Sequence, residues 1–387
     1  EQGIFWNMPC SVYRSILRPG RYKREMIDDG ISREFEQKRT RIREYMQRQG
    51  LDLLLLGRLA NVTWYLCGAE AYVSIASEKA SATLLLTLEK DYLITNNIEA
   101  PRLSGVEVSL IEEPWYAMPS AVQERLFEKS TGSDIPFAGA VDVSADIAAL
   151  RYSLLPEEID RYRQVGADTS AAMDEVAPSI KPGMRECTMA GILSEALMGR
   201  HVVPVTLLIA VDERIERYRH PLPTDKAFNR VAMLVVCGRR NGLIISMSRM
   251  VHIGQVPLEL RRKHNAVTRV EAAYIEATTP GAAVAAVFDC GRRVYEESGY
   301  ADEWRLHHQG GATGYAGRDY KGMLSSTEIV QPYQAFAWNP SICGTKSEDT
   351  ILAMPDGSSI ISKTSAWPLL SHEINGKVYR RPDILVL

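Results

Sequence analysis

The sequence predicts an α/β (α+β) protein made of a small N-terminal α/β domain and a larger second domain. Three observations carry this expectation. A chain of 387 residues is long for one hydrophobic core, so two domains are the default. Amphipathic helical stretches alternate with short apolar runs throughout. From residue 156 onward a single layout occurs twice: a helix, a Pro-Gly stop, a second helix, then strand-like runs.

The elements follow in order. Residues 1–32 have little periodicity and are read as an N-terminal arm. Ser32 can cap a helix through about Gln49, with Phe35, Ile42, Tyr45 and Met46 on one face and Gly50 as the stop. Leu51 to Leu56 reads as a buried strand. Ala82 to Leu88 and Tyr92 to Thr95 flank the turn residues Glu89-Lys90-Asp91 as a hairpin. The first domain therefore covers 33–150 and the second 151–387. Pro156 suits a first helical position, and Glu157, Glu158 and Asp160 suit the positive end of a helix running to about Ile180, before Lys181-Pro182-Gly183. A helix from Thr188 to Met198 follows, then strands at Pro204 to Val211, Val231 to Cys237 and Leu243 to Met247. The second unit has helices Leu258 to Ala277 and Val284 to Glu297 around the stop Thr279-Pro280-Gly281. Its strands are Ala335 to Trp338, Thr350 to Ala353 and Ile384 to Leu387. Two similar halves would leave a cleft between them.

Composition narrows the function. Hydrophobic residues make up 45% and charged residues 24%, ordinary for a soluble globular protein. A net charge of −3 provides no bulk basic field for nucleic acid or anionic lipid, and the basic clusters read as solvated helix faces. The six cysteines form no C-x-x-C pair, so they are read as reduced thiols of a cytoplasmic protein. No apolar run approaches the ~20 residues needed to span a bilayer. Asn61-Val62-Thr63 fits a glycosylation acceptor, without any secretory context to support it.

Four segments of the second domain can carry chemistry. In Tyr218-Arg219-His220-Pro221 the proline extends and fixes the preceding His. The run 307–320, HHQGGATGYAGRDY, concentrates His307, His308, Tyr315 and Arg318 among glycines that would let backbone approach a ligand. Its glycine spacing matches no nucleotide-binding motif. Trp338-Asn339-Pro340-Ser341-Ile342 and Lys346-Ser347-Glu348-Asp349-Thr350 complete the set.

In this order, the His-Pro segment, the Gly-rich His loop and the Ser-Glu-Asp-Thr-Ile-Leu strand resemble the catalytic domain of the creatinase/prolidase/methionine-aminopeptidase ("pita-bread") superfamily. Residues 33–150 resemble the domain that precedes it in creatinases and prolidases. The resemblance implies a pita-bread domain and a homodimer. It also implies two metal ions on two Asp, one His and two Glu. At those positions this chain has Val235, Ser246, His308, Asn339 and Glu348, so two ligands of five remain. Val cannot bind a metal, and bridging carboxylates are what balance a dinuclear charge. The expectation is therefore no dinuclear metal and no other cofactor. A single metal on His307, His308 or Glu348 stays open, although adjacent His side chains on an extended chain point to opposite faces.

Creatinase works on this fold without metal, through a His and substrate-holding Glu and Arg side chains. By that resemblance His220 is the general acid/base. Glu348 orients water or His308, and Arg318 clamps a substrate carboxylate. Tyr315 donates to developing negative charge. His307, Asn339, Ser246 and Ser248 line the substrate pocket. Ser248 and Asn339 stand where creatinase has its guanidinium-binding Glu residues, which makes creatine a poor fit. The leading expectation is thus a metal-independent hydrolase, or a related C–N bond-cleaving enzyme, for a small amino-acid-like, amide or amidine substrate, with no nucleic-acid or membrane partner. The alternatives are an inactive binding or scaffold module and an atypical Xaa-Pro peptidase.

Overall fold

The computed structural model describes residues 32–116 and 129–387. All of the expected N-terminal arm except Ser32 lies outside the described residues. Ser32 Oγ accepts the Phe35 amide at 3.2 Å and Gly50 closes the first helix, Arg33–Gln49, at φ 64°. The helix covers a mixed sheet of order β4-β3-β2-β1-β5-β6. Its strands are β1 (Leu53–Arg58), β2 (Lys79–Thr87), β3 (Asp91–Asn96), β4 (Ser109–Glu113), β5 (Thr131–Ser133) and β6 (Val141–Asp142). The expected hairpin is the antiparallel pair β2–β3. Asn61 belongs to the helix Leu59–Tyr65 and is 1% exposed. Its amide donates to Asp134 and its carbonyl accepts from Arg151, so it is no glycan acceptor.

The second part repeats one unit. Helices Pro156–Val176 and Glu186–Met198 lie against an antiparallel sheet of β7 (Val203–Val211), β8 (Val231–Arg240) and β9 (Leu243–His252). Pro156 opens its helix as expected, and Glu158 accepts the Leu155 amide at 2.8 Å. Helices Leu258–Ala277 and Val284–Glu297 pack on a second sheet, built on β10 (Gly310–Thr313), β11 (Tyr320–Lys321) and β12 (Ala335–Trp338). After the short pair β13 (Ser341–Ile342) and β14 (Thr345–Lys346), this sheet is completed by β15 (Asp349–Met354) and β16 (Gly357–Ile360). The hairpin β17 (Leu369–Ile374) and β18 (Lys377–Pro382) follows, and β19 (Leu385–Val386) returns parallel to β9.

The two sheets meet where β9 faces β15. Ser248 bridges to Glu348, and Thr350 Oγ1 accepts the Ser246 amide (2.8 Å) while donating to the Ser246 carbonyl (2.9 Å). One apolar cluster runs from Phe35 and Trp64 through Tyr162 and Met247 to Trp367. The N-terminal sheet unit and the second part therefore share buried surface. Among the described residues no helix is long and apolar enough to cross a membrane.

Candidate active site

Strand alternation builds the floor of the cleft. Lys346 and Glu348 turn one way and Ser347 and Asp349 the other. Ser347 and Asp349 enter a buried network: Arg381 Nε donates to Glu271 at 2.9 Å and its Nη2 reaches both Glu271 and Asp349, while Arg249 Nη2 donates to Asp349 at 2.9 Å. Ser347 Oγ donates to Glu271 as well. Burial pushes the Glu271 carboxyl up to about 7 despite Arg381. This network anchors the strand from below and leaves Glu348 facing the cleft.

Glu348 is 2% exposed and fully engaged. Lys346 Nζ lies 2.8 Å from its Oε2, Ser248 Oγ donates to the same oxygen at 2.7 Å, and Arg318 Nη2 lies 3.3 Å from Oε1. Burial alone would raise this carboxyl, but Lys346 and Arg318 outweigh burial and hold it below the usual carboxylate range.

Above this carboxylate sit three imidazoles from two chain segments. His220 Nε2 is 3.0 Å from His307 Nε2, and the ring centroids lie 4.9 Å (His220–His307), 5.4 Å (His220–His308) and 4.6 Å (His307–His308) apart. His307 Nδ1 contacts Ser341 Oγ at 3.1 Å, and that oxygen also accepts from Arg219 at 3.2 Å. Burial, with Lys346 the largest cationic neighbour, lowers the His220 pKa. His307 is driven far down by the same causes. His308 falls to about 4 through burial, Arg318, the His220 ring and the lysines nearby. All three rings are thus neutral at pH 7.

Three expectations need correction. The adjacent histidines do not diverge: both rings face His220, with centroids 4.9 and 5.4 Å away, although His307 itself has an extended backbone and β10 begins only at Gly310. Tyr315 is 4% exposed and its hydroxyl donates to Glu158 at 2.7 Å, beside Lys38, so it cannot serve developing charge in the cleft. Gly310 and Gly311 do not open the backbone to a ligand. A Cβ at Gly310 would stand 2.1 Å from the Ala337 carbonyl oxygen, and one at Gly311 2.2 Å from that of Tyr320, so these residues admit neighbouring strands.

The proposed pocket residues divide likewise. Ser248 holds Glu348. Ser246 is completely buried with its hydroxyl 3.2 Å from Cys237 Sγ, out of reach of substrate. Asn339 is 3% exposed, and its Oδ1 is buried with no hydrogen-bond partner. Arg318 keeps a similarly unpartnered Nε. Lys346 was missed as a functional residue. Its spacing of two from Glu348 on a strand was the available signal.

The donor set does not fit a paired-metal centre. Val235 packs among Leu208, Ala210, Met233 and Met250, Ser246 is turned to Cys237, and Asn339 is neutral. Lys346 and Arg318 stand against the Glu348 oxygens that would meet metal, supplying positive charge from the chain itself.

Comparison with known proteins bears on this arrangement. The model of metallopeptidase family M24 matches residues 160–357. A Xaa-Pro dipeptidase of Lactobacillus helveticus is 22% identical over 280 residues, covering 65% of this chain and 76% of that protein. Among solved structures, the prolidase of Pyrococcus horikoshii aligns with a TM-score of 0.75 at 18% identity, over 85% of this chain and 99% of that one. A Xaa-Pro dipeptidase from Bacillus anthracis aligns at 0.75 and 16% identity, over 91% of this chain and 100% of that one. At these identities the structural likeness establishes the pita-bread fold.

Proposed function

The chain belongs to metallopeptidase family M24, and from that premise we propose that it hydrolyses a C–N bond in a small amino-acid-like or dipeptide-like substrate without the family's paired-metal centre. One observation carries the reading: Lys346 and Arg318 pair with Glu348 directly beside a cluster of neutral imidazoles. The charge that two metal ions would bring is thereby provided by side chains, while a base remains free. His220, exposed and neutral, takes the proton of an attacking water and returns it to the leaving nitrogen. Arg318, through its unpartnered Nε, donates to a substrate carboxylate. Lys346 and Arg318 favour the negative charge that develops on the attacked carbonyl oxygen, the role expected of Tyr315. Asn339 Oδ1 accepts a substrate N–H. The active species is taken to be a homodimer, on the family resemblance, and sedimentation of a clean monomer would remove that part.

The test is a screen of Xaa-Pro dipeptides, small amides and amidines against the purified protein, with and without EDTA. Turnover that survives EDTA and is lost in His220→Ala supports the reading. Turnover appearing only with added Mn²⁺ or Co²⁺ overturns it. Val235, apolar where the family binds metal, also suits a module that only binds its ligand. Saturable binding by calorimetry without turnover would select that second reading.

A further inference from the structure

We infer that His220, His307 and His308 form a site for one transition-metal dication of the zinc class, sharing only His308 with the positions of the family's carboxylate centre. The ligand nitrogens of the three side chains all lie within 4.8 Å of one another. Around a tetrahedral zinc with bonds of about 2.0–2.1 Å, neighbouring nitrogens stand roughly 3.3 Å apart. The His220–His307 separation of 3.0 Å is already close to such an edge. His220 sits on the exposed segment after the short helix Glu213–Arg217, where a side-chain rotation can close the remaining distance.

The surroundings of the cluster select the kind of ion. Two of its members come from one segment and the third from 87 residues earlier, so the fold assembles the site. His307 Nδ1 is steadied by Ser341, which Arg219 holds in turn, and Arg219 also pairs with Glu303 at 2.5 Å. Such outer contacts orient a ligating imidazole. Magnesium, calcium and manganese want several carboxylate or carbonyl oxygens, which the cluster does not offer. The surrounding Arg318, Lys346 and Lys321 further oppose any ion that lacks strong nitrogen affinity. Zinc, copper and nickel meet that condition. The same cations favour an anion, hydroxide or carboxylate, at the open fourth position. Two contacts are given up: the His220–His307 hydrogen bond, whose proton moves off Nε2 when both nitrogens turn to the ion, and that of the Gly310 amide to His308 Nδ1 at 3.3 Å, since ligation through Nε2 places a proton on Nδ1.

A consequence rests on the proposed function. An ion here takes the lone pair that His220 uses as a base, so it inhibits turnover instead of activating it.

The protein would be stripped with EDTA and titrated with Co²⁺ by visible absorption and with Zn²⁺ by calorimetry. One ion per chain is expected, with the intense d–d bands of a low-coordinate nitrogen site. His307→Ala and, as a milder change, His307→Gln should weaken binding at least tenfold, with circular dichroism confirming that both variants fold. Glu348→Gln should change it only a few-fold. Two ions per chain, binding that persists in His307→Ala but is lost in Glu348→Gln, or no saturation by 100-fold excess metal would each overturn the site. One ion bound without loss of turnover leaves the site standing and counts instead against His220 as the base.

Discussion

Lys346→Met is the most informative single change. Lys346 and Glu348 side chains are each 3% exposed and 2.8 Å apart. Removing one partner of a buried ion pair costs about 3–5 kcal/mol, because the other charge stays buried. Ser248 and Arg318 still hold Glu348, so the lower end, about 3 kcal/mol, is expected in urea unfolding at pH 7.5. The double variant Lys346→Met/Glu348→Gln removes that stranded charge and should cost only about 1 kcal/mol. The pH dependence fixes the sign. In the wild type the Glu348 carboxyl is held below its ordinary value, so its contribution is present above that value and is lost as pH falls through the lowered one. Without Lys346, burial prevails, the folded-state pKa rises, and the folded protein takes up a proton in mild acid. The deficit of Lys346→Met should therefore be largest at pH 7.5 and shrink by pH 5.5. An equal deficit at both values, or a double variant as unstable as the single one, would refute the view that Lys346 neutralises Glu348.

Four further outcomes follow from the same geometry. Once a substrate is found, His220→Ala should lower kcat by roughly 10²–10⁴-fold, and stopped assays would read this directly. Because the His220 pKa lies below 6.5, activity should be flat through pH 7 and fall only on acidification, so an optimum confined to alkaline pH would contradict His220 as base. Tyr315→Phe should cost about 1–3 kcal/mol of stability by leaving Glu158 without its hydroxyl donor, yet keep kcat within a few-fold. Gly311→Ala places a Cβ 2.2 Å from a backbone oxygen at φ 149° and should destabilise by about 2 kcal/mol or more, measurable as a lowered Tm.

Much of the fold was legible in local signals. The helices Leu258–Ala277 and Val284–Glu297 start and stop at the expected residues, since their apolar period and the Thr279-Pro280-Gly281 stop act within a few positions. Short pieces such as Thr131–Ser133 or Tyr320–Lys321 were missed. Two or three residues carry no period, and only the neighbouring strand makes them strands. In the cleft, the motifs pointed to His220, His308, Arg318 and Glu348 as a group. What they could not convey was the direction of side chains outside regular structure. Tyr315 is drawn to Glu158, a partner 157 residues away, and His307 turns beside His308 ahead of β10, with ring centroids 4.6 Å apart. Lys346 was legible only as a residue two positions from Glu348 on an extended segment; the pairing itself, at 2.8 Å, comes from the structure.

The partners that draw Tyr315 away also tie the cleft to the beginning of the described chain. Lys38, fully buried, joins Glu34, Glu158 and the Trp64 carbonyl, and Tyr315 closes on Glu158. A few residues further on, Asp319 takes Arg151, whose Nε donates to Asn61, which in turn holds Asp134. Arg318 therefore stands between two clamps, each reaching into the six-stranded sheet and its helices. Coupling of this kind is reciprocal. A ligand that fixes Arg318 is expected to slow amide exchange in the helix Arg33–Gln49, a helix it never touches; unchanged exchange there would show that the clamps do not couple.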